Sequence, residues 1–128
     1  MDTEKQKKKI LIIEDDEHIS RVYEVKFSQE GVETVVVQSG EEAVASVRKE
    51  EPNLIILDIM LPKKDGFMIL EEIRQDPKLA SIPVLVISNL GQESDKERAF
   101  ELGAKEYLVK VEYPVQEVID KIKQYLYY

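Results

Sequence analysis

The chain has no cysteine and no tryptophan, and its single histidine is His18. Without thiols, disulfides and thiolate metal sites are excluded, and one imidazole makes a zinc site a poor reading. Any metal would have to be held by oxygen. Basic charge is in deficit as well: 18 lysines and arginines stand against 26 aspartates and glutamates. The resulting net charge of −8 argues against direct nucleic-acid binding, because attraction to phosphates supplies most non-specific affinity there. Lys5, Lys7, Lys8 and Lys9 form a local exception that reads as a solvated amino-terminal stretch, with the polar extension itself set at residues 1–8. No apolar run approaches the roughly 20 residues needed to cross a bilayer, so membrane insertion is not expected. The start, Met1 to Lys9, has no apolar segment after its lysines and does not resemble a secretory signal, which makes cytoplasmic residence the expectation. There is no repeat, low-complexity tract or linker.

What is present suits one globular domain over residues 9–128. A hydrophobic content of 43% with 34% charged residues is ordinary for such a domain, and a chain of 128 residues buries roughly two thirds of its unfolded surface. Five short apolar runs stand out. Ile10 to Ile13, Thr34 to Val37, Leu54 to Leu57, Val84 to Ile87 and Tyr107 to Val109 read as strands, and the continuously apolar ones as strands buried on both faces. Helical periodicity fills the intervals. Ile19, Val22, Tyr23 and Phe27 mark a first helix from about Asp16 to Glu30, with Gly31 as its left-handed terminator. Ser39 and Glu42 have capping-box spacing before a second helix, and Phe67, Leu70 and Ile73 mark a third. Ser94 and Glu97 suggest another capping box before a fourth helix that Gly103 would end; Pro114 suits the first turn of a fifth. Alternating strands and helices predict an α/β, doubly wound fold with a five-stranded parallel sheet and five helices. The flavodoxin-like order 2-1-3-4-5 is the commonest for five strands.

In that order the carboxyl ends of the strands gather Asp15 and Asp16, Asp58, Ser88 and Lys110 along one edge of the sheet, where ligands of open α/β folds bind. Converging carboxylates must take up a proton or share a cation. An oxygen-only donor set favours Mg²⁺, which commonly combines a few carboxylates with a substrate phosphate. Lys110 and Ser88 would suit that phosphate as charge and as hydrogen-bond donor. An ionised aspartate beside two cations is itself a nucleophile toward phosphorus, so no general base is required.

The pieces Ile13-Glu14-Asp15-Asp16, Leu57-Asp58-Ile59-Met60-Leu61-Pro62 with Asp65-Gly66, Ser88, and Tyr107-Leu108-Val109-Lys110, each at a strand exit and in this order, resemble the response-regulator receiver domain of two-component signalling. The resemblance is to the single-domain kind typified by the chemotaxis regulator, and it covers about Lys9 to Tyr127. It implies Asp58 as phosphoacceptor and Mg²⁺ held by Asp15, Asp16, Asp58 and the backbone carbonyl of Met60. It further implies Lys110 on the phosphoryl oxygens, Ser88 as the sensing hydroxyl and Tyr107 as the ring that swings behind it. The implied donor is a sensor histidine kinase or a histidine phosphotransfer protein. The implied output is a changed surface of helix four, strand five and helix five, read by a downstream protein or a covalently linked effector. Such a domain is a signalling phosphoacceptor rather than an enzyme in the ordinary sense.

Several positions depart from the family's pattern. Val111 replaces the usual proline after the lysine, for which a trans bond with a reshaped loop is expected, and Asn89 replaces a small residue. Met60 and Leu90 occupy the places that tune loss of phosphate, and neither can position a water. A long-lived phosphorylated state follows, and Met60→Asn with Leu90→Glu is expected to hasten its decay. Two other classes stand beside this reading. A degenerate receiver acting as an interaction scaffold would account for Asn89 and Val111. A Mg²⁺-dependent aspartyl-phosphate phosphatase would need an aspartate where Met60 stands.

Overall fold

A computed structural model describes residues 7–127. Most of the expected extension over 1–8, including Lys5, lies outside the described residues, as does Tyr128. In chain order the elements are β1 (Lys9–Ile13), α1 (Glu17–Gln29), β2 (Glu33–Val37), α2 (Gly40–Glu50), β3 (Leu54–Leu57), α3 (Gly66–Gln75), β4 (Val84–Ser88), α4 (Glu93–Glu101), β5 (Glu106–Val109) and α5 (Val115–Tyr127). The strands form one parallel sheet in the order β2-β1-β3-β4-β5, as the alternation of elements predicts.

Every residue of β3 and β4 is buried, which is why their sequences show no polar alternation. Successive side chains point to opposite faces and divide the core in two. Leu11, Ile13, Ile55, Leu57, Val84 and Val86 meet one layer with Ala43, Val47, Phe67, Leu70 and Ala99 of α2, α3 and α4. Ile10, Ile12, Leu54, Ile56, Leu85 and Ile87 meet the other with Tyr23, Phe27, Val118 and Ile122 of α1 and α5. β2 lies at an edge and is correspondingly half-exposed over Thr34, Val35 and Val36.

Some local boundaries differ from the sequence reading. α1 begins at Glu17 because Asp16, in extended conformation, is its cap. α4 begins at Glu93, with Gln92 in the capping position and no side-chain cap bond, so Ser94 lies inside the first turn and the expected Ser94–Glu97 box does not form. Pro114 stands just before α5, its carbonyl accepting from Glu117 and Val118 N–H. Ser39 does cap α2, but it accepts from Glu41 N–H rather than Glu42 N–H and no Glu42 side-chain bond closes the expected box; Gly31 and Gly103 do take positive φ beyond α1 and α4. No peptide bond among the described residues is cis, so Lys110-Val111 is trans, and a short 3-10 turn over Lys110–Glu112 reshapes the loop.

The segment between β3 and α3 is held by close approach at two glycines. A Cβ on Gly66 would lie 2.6 Å from Ile59 Cα and 2.7 Å from the Asp58 carbonyl oxygen. A Cβ on Gly40 would lie 2.1 Å from the Lys64 carbonyl oxygen. Any larger residue would push this segment away from the strand end that it frames.

Candidate functional site

The edge of the sheet where β1 and β3 end carries backbone pairing slightly past both strands. The Glu14 N–H donates to the Val37 carbonyl at 3.0 Å, and the Asp58 N–H to the Ile13 carbonyl at 3.0 Å. Both residues are thereby fixed to the sheet, and both are buried, at 4% and 5% exposure. Asp15 follows Glu14 and is exposed. Glu14, Asp15 and Asp58 each offer a carboxylate oxygen within 4.8 Å of the others. From the end of β5, Lys110 Nζ reaches in to Glu14 Oε1 at 2.7 Å and Asp58 Oδ2 at 2.8 Å. The second oxygen, Asp58 Oδ1, accepts from the Met60 N–H at 3.0 Å.

Asp16 is not part of this group. Its Oδ1 accepts from the N–H of His18 at 2.9 Å and of Ile19 at 3.3 Å, the bonds of a helix cap. The pair facing Asp58 is Glu14 and Asp15, one position earlier than the expected Asp15 and Asp16. The run Glu14-Asp15-Asp16-Glu17 carries no internal mark of which members turn inward. The usable signal was the end of the apolar run at Ile13, since the next residue continues the strand, together with the strong capping preference of aspartate just before a helix.

Burial pushes the Glu14 carboxyl up to about 7, with the Asp58 charge adding to the rise and the Lys110 bond opposing it. Burial works against the Lys110 ammonium, but its bonds to Asp58 and Glu14 outweigh this and hold its pKa above the usual lysine range. One cation thus balances two buried carboxylates, and removing it would leave both uncompensated.

Ser88 ends β4 fully buried, and its Oγ accepts from the Leu90 N–H at 3.3 Å. Tyr107 on β5 is buried too, and its hydroxyl donates to the Leu90 carbonyl. Burial, followed by the charges of Asp95 and Asp58, raises the Tyr107 phenol to about 12, so it is a donor at neutral pH. Ser88 and Tyr107 therefore fasten the same residue from two strands. The Met60 side chain is exposed, as is Asn89. The ends of β1 and β5 bring two carboxylates and an ammonium to Asp58 at the end of β3, and Ser88 ends β4, the strand beside β3. The donors are oxygens alone, of hard, anionic character, which fits Mg²⁺ in a set completed by water and phosphate oxygens.

Comparison with known proteins agrees with this arrangement. The family model for the response regulator receiver domain matches residues 10–123. The DNA-binding dual master transcriptional regulator RpaA of Synechocystis is 37% identical over 118 residues, 92% of this chain and 48% of the relative. The alkaline phosphatase synthesis transcriptional regulatory protein PhoP of Bacillus subtilis is 35% identical over 119 residues, 93% of this chain and 48% of the relative. The chain spans about half the length of these curated relatives. Among solved structures, the BeF3-activated N-terminal receiver domain of Klebsiella pneumoniae RstA superposes with a TM-score of 0.84 at 26% identity, covering 94% of this chain and 99% of that one. No helix among the described residues is long and apolar enough to cross a membrane. With its sheet order, its acidic strand ends and these relatives agreeing, the chain belongs to the response regulator receiver domain family.

Proposed function

We propose that this receiver domain takes a phosphoryl group onto Asp58 from a phosphohistidine of a sensor kinase or phosphotransfer protein. The observation that carries the reading is the position of Lys110 Nζ, 2.8 Å from Asp58 Oδ2 and beside a second buried carboxylate. A carboxylate oxygen of Asp58 attacks the phosphorus, the phosphorus–nitrogen bond breaks, and the imidazole leaves with the electron pair and takes up a proton from solvent. Because the transition state is loose, the residues act mainly by positioning and by balancing charge. The sheet bond at the Asp58 N–H fixes the attacking group, and the Met60 N–H holds its other oxygen. Lys110 is bonded to the carboxylates before phosphate arrives and is within reach of a phosphoryl oxygen afterwards. Glu14, Asp15 and Asp58, with the Met60 carbonyl, would hold Mg²⁺, which when bound screens the negative charges of the acceptor and the phosphoryl group from each other. Ser88 would then donate to the phosphoryl group, with Tyr107 following, and the surface of α4, β5 and α5 would change for a downstream protein or a linked effector.

In an interaction scaffold with lost chemistry the lysine shared between two buried carboxylates would only balance their charge, and no phosphoryl adduct would form. A phosphatase of this type would need a carboxylate where the exposed Met60 stands. The test is intact mass after incubation with Mg²⁺ and acetyl phosphate. A single phosphoryl adduct on the wild type, absent from Asp58→Asn and from samples with chelator, is the expected result. An adduct that survives Asp58→Asn, or none at all, would overturn the reading.

A further inference from the structure

Among the described residues, one buried side-chain polar atom has no hydrogen-bond partner: Asp95 Oδ2, in the first turn of α4. A buried carboxylate oxygen without a donor costs free energy, so a second arrangement that gives it a donor would be favoured. The same turn has the complementary deficiency. Gln92 occupies the capping position with φ −73° and ψ 149° and makes no side-chain cap bond; the Asp95 and Lys96 N–H groups both donate to its carbonyl, whereas its own N–H has no acceptor among the described residues. Asp95 is the third helical residue after Gln92, the position from which a carboxylate reaches back to the backbone N–H of the capping residue. Donor and acceptor of a capping bond lie within one turn and are not joined.

The loop ahead of the helix is tethered. Two residues before Gln92, Leu90 is fastened at both polar atoms, its N–H to Ser88 Oγ and its carbonyl by the Tyr107 hydroxyl. These anchors are the two groups that would respond to a phosphoryl group on Asp58. If Ser88 turns to donate to the phosphoryl oxygen, it is no longer aimed at the Leu90 N–H, and the chain from Asn89 to Gln92 is free to readjust.

We propose that Asp95 is a positioning residue of the phosphoryl switch, closing a capping bond onto the Gln92 N–H when phosphorylation of Asp58 releases Leu90 from Ser88. The inference rests on the phosphoacceptor reading of Asp58. It gives the switch a local mechanism: the charge event at the strand ends completes a helix start that is otherwise left open, and α4 is tightened from its first turn.

The test is amide hydrogen exchange at Gln92 in the full chain, without and with Mg²⁺ and acetyl phosphate, while intact mass reports the adduct in the same samples. In the wild type, Gln92 protection is expected to rise about fivefold on phosphorylation, the effect of a capping bond of ordinary strength. Asp95→Ala is expected to take the adduct but show no rise, and Asp95→Glu, which keeps the reaching carboxylate, to restore it. Equal protection in the two states of an adduct-bearing wild type, or an unchanged rise in Asp95→Ala, would overturn the inference alone. A chain that takes no adduct would overturn it together with the phosphoacceptor reading.

Discussion

Glu14 and Asp16 differ by two positions and are assigned opposite tasks by the fold. Glu14 is buried at the end of β1 and bonded to Lys110, whereas Asp16 spends its carboxylate on the first turn of α1. Glu14→Gln is therefore expected to weaken Mg²⁺ binding by more than about tenfold, as the loss of one ligand charge should. Asp16→Ala is expected to lower stability by about 1 kcal/mol while leaving Mg²⁺ affinity within about twofold. Calorimetric Mg²⁺ titration and urea unfolding of both variants check this, and a larger affinity loss for Asp16→Ala would refute the assignment. Glu14 also gives the metal-free chain a pH signature. Its carboxyl sits at about 7 in the fold against 4.5 ordinarily. Between those values the unfolded chain has lost a proton that the folded chain retains, so this group's contribution to stability falls as pH rises through the window. Below it no such loss exists. Glu14→Gln is expected to flatten the decline in unfolding free energy over this range, and an unchanged slope would count against the buried, protonatable Glu14.

At the scale of elements, the segment from Asp58 to Gly66 matters most. The Gly66 N–H donates to the Ile59 carbonyl at 2.9 Å and draws the start of α3 against the residue after Asp58; Gly66 permits that approach, because a Cβ there would stand 2.6 Å from Ile59 Cα. Gly66→Ala forces the backbone apart, with an expected cost of about 1–3 kcal/mol in unfolding free energy. Slower uptake of phosphate from acetyl phosphate should accompany it. Normal stability with a normal rate would show that the close approach is not needed. Much of this level was legible in the sequence. Leu54 to Leu57 and Val84 to Ile87 announce buried strands because nothing polar interrupts them, and Gly31 and Gly103 mark helix ends because they take positive φ. The start of α4 was not legible. Ser94 and Glu97 have the right spacing for a capping box, but the helix begins one residue before Ser94, behind a loop in which Leu90 is bonded to Ser88 and Tyr107. The spacing of a local motif did not by itself locate the first turn.

The molecule as a whole is a two-sided core around one sheet, with α1 and α5 on one face and α2, α3 and α4 on the other. The strand order brings residues 14, 58, 88 and 110 to one edge although 96 positions separate the outer two, Glu14 and Lys110. That convergence could be read from the alternation of strands and helices, because parallel strands present their carboxyl ends together. The alternation alone did not say which carboxylate of the acidic run turns inward; that needed the capping preference of the aspartate just before α1 as well. The central claim is that Asp58 alone receives the phosphoryl group. Its most direct measurement is borohydride trapping after incubation with Mg²⁺ and acetyl phosphate, followed by peptide mass mapping. Reduction converts an aspartyl phosphate to homoserine in place. The account predicts homoserine at position 58 and nowhere else, and only when Mg²⁺ was present. Homoserine at position 15 or 16, or none in a sample whose intact mass carried the adduct, would contradict it.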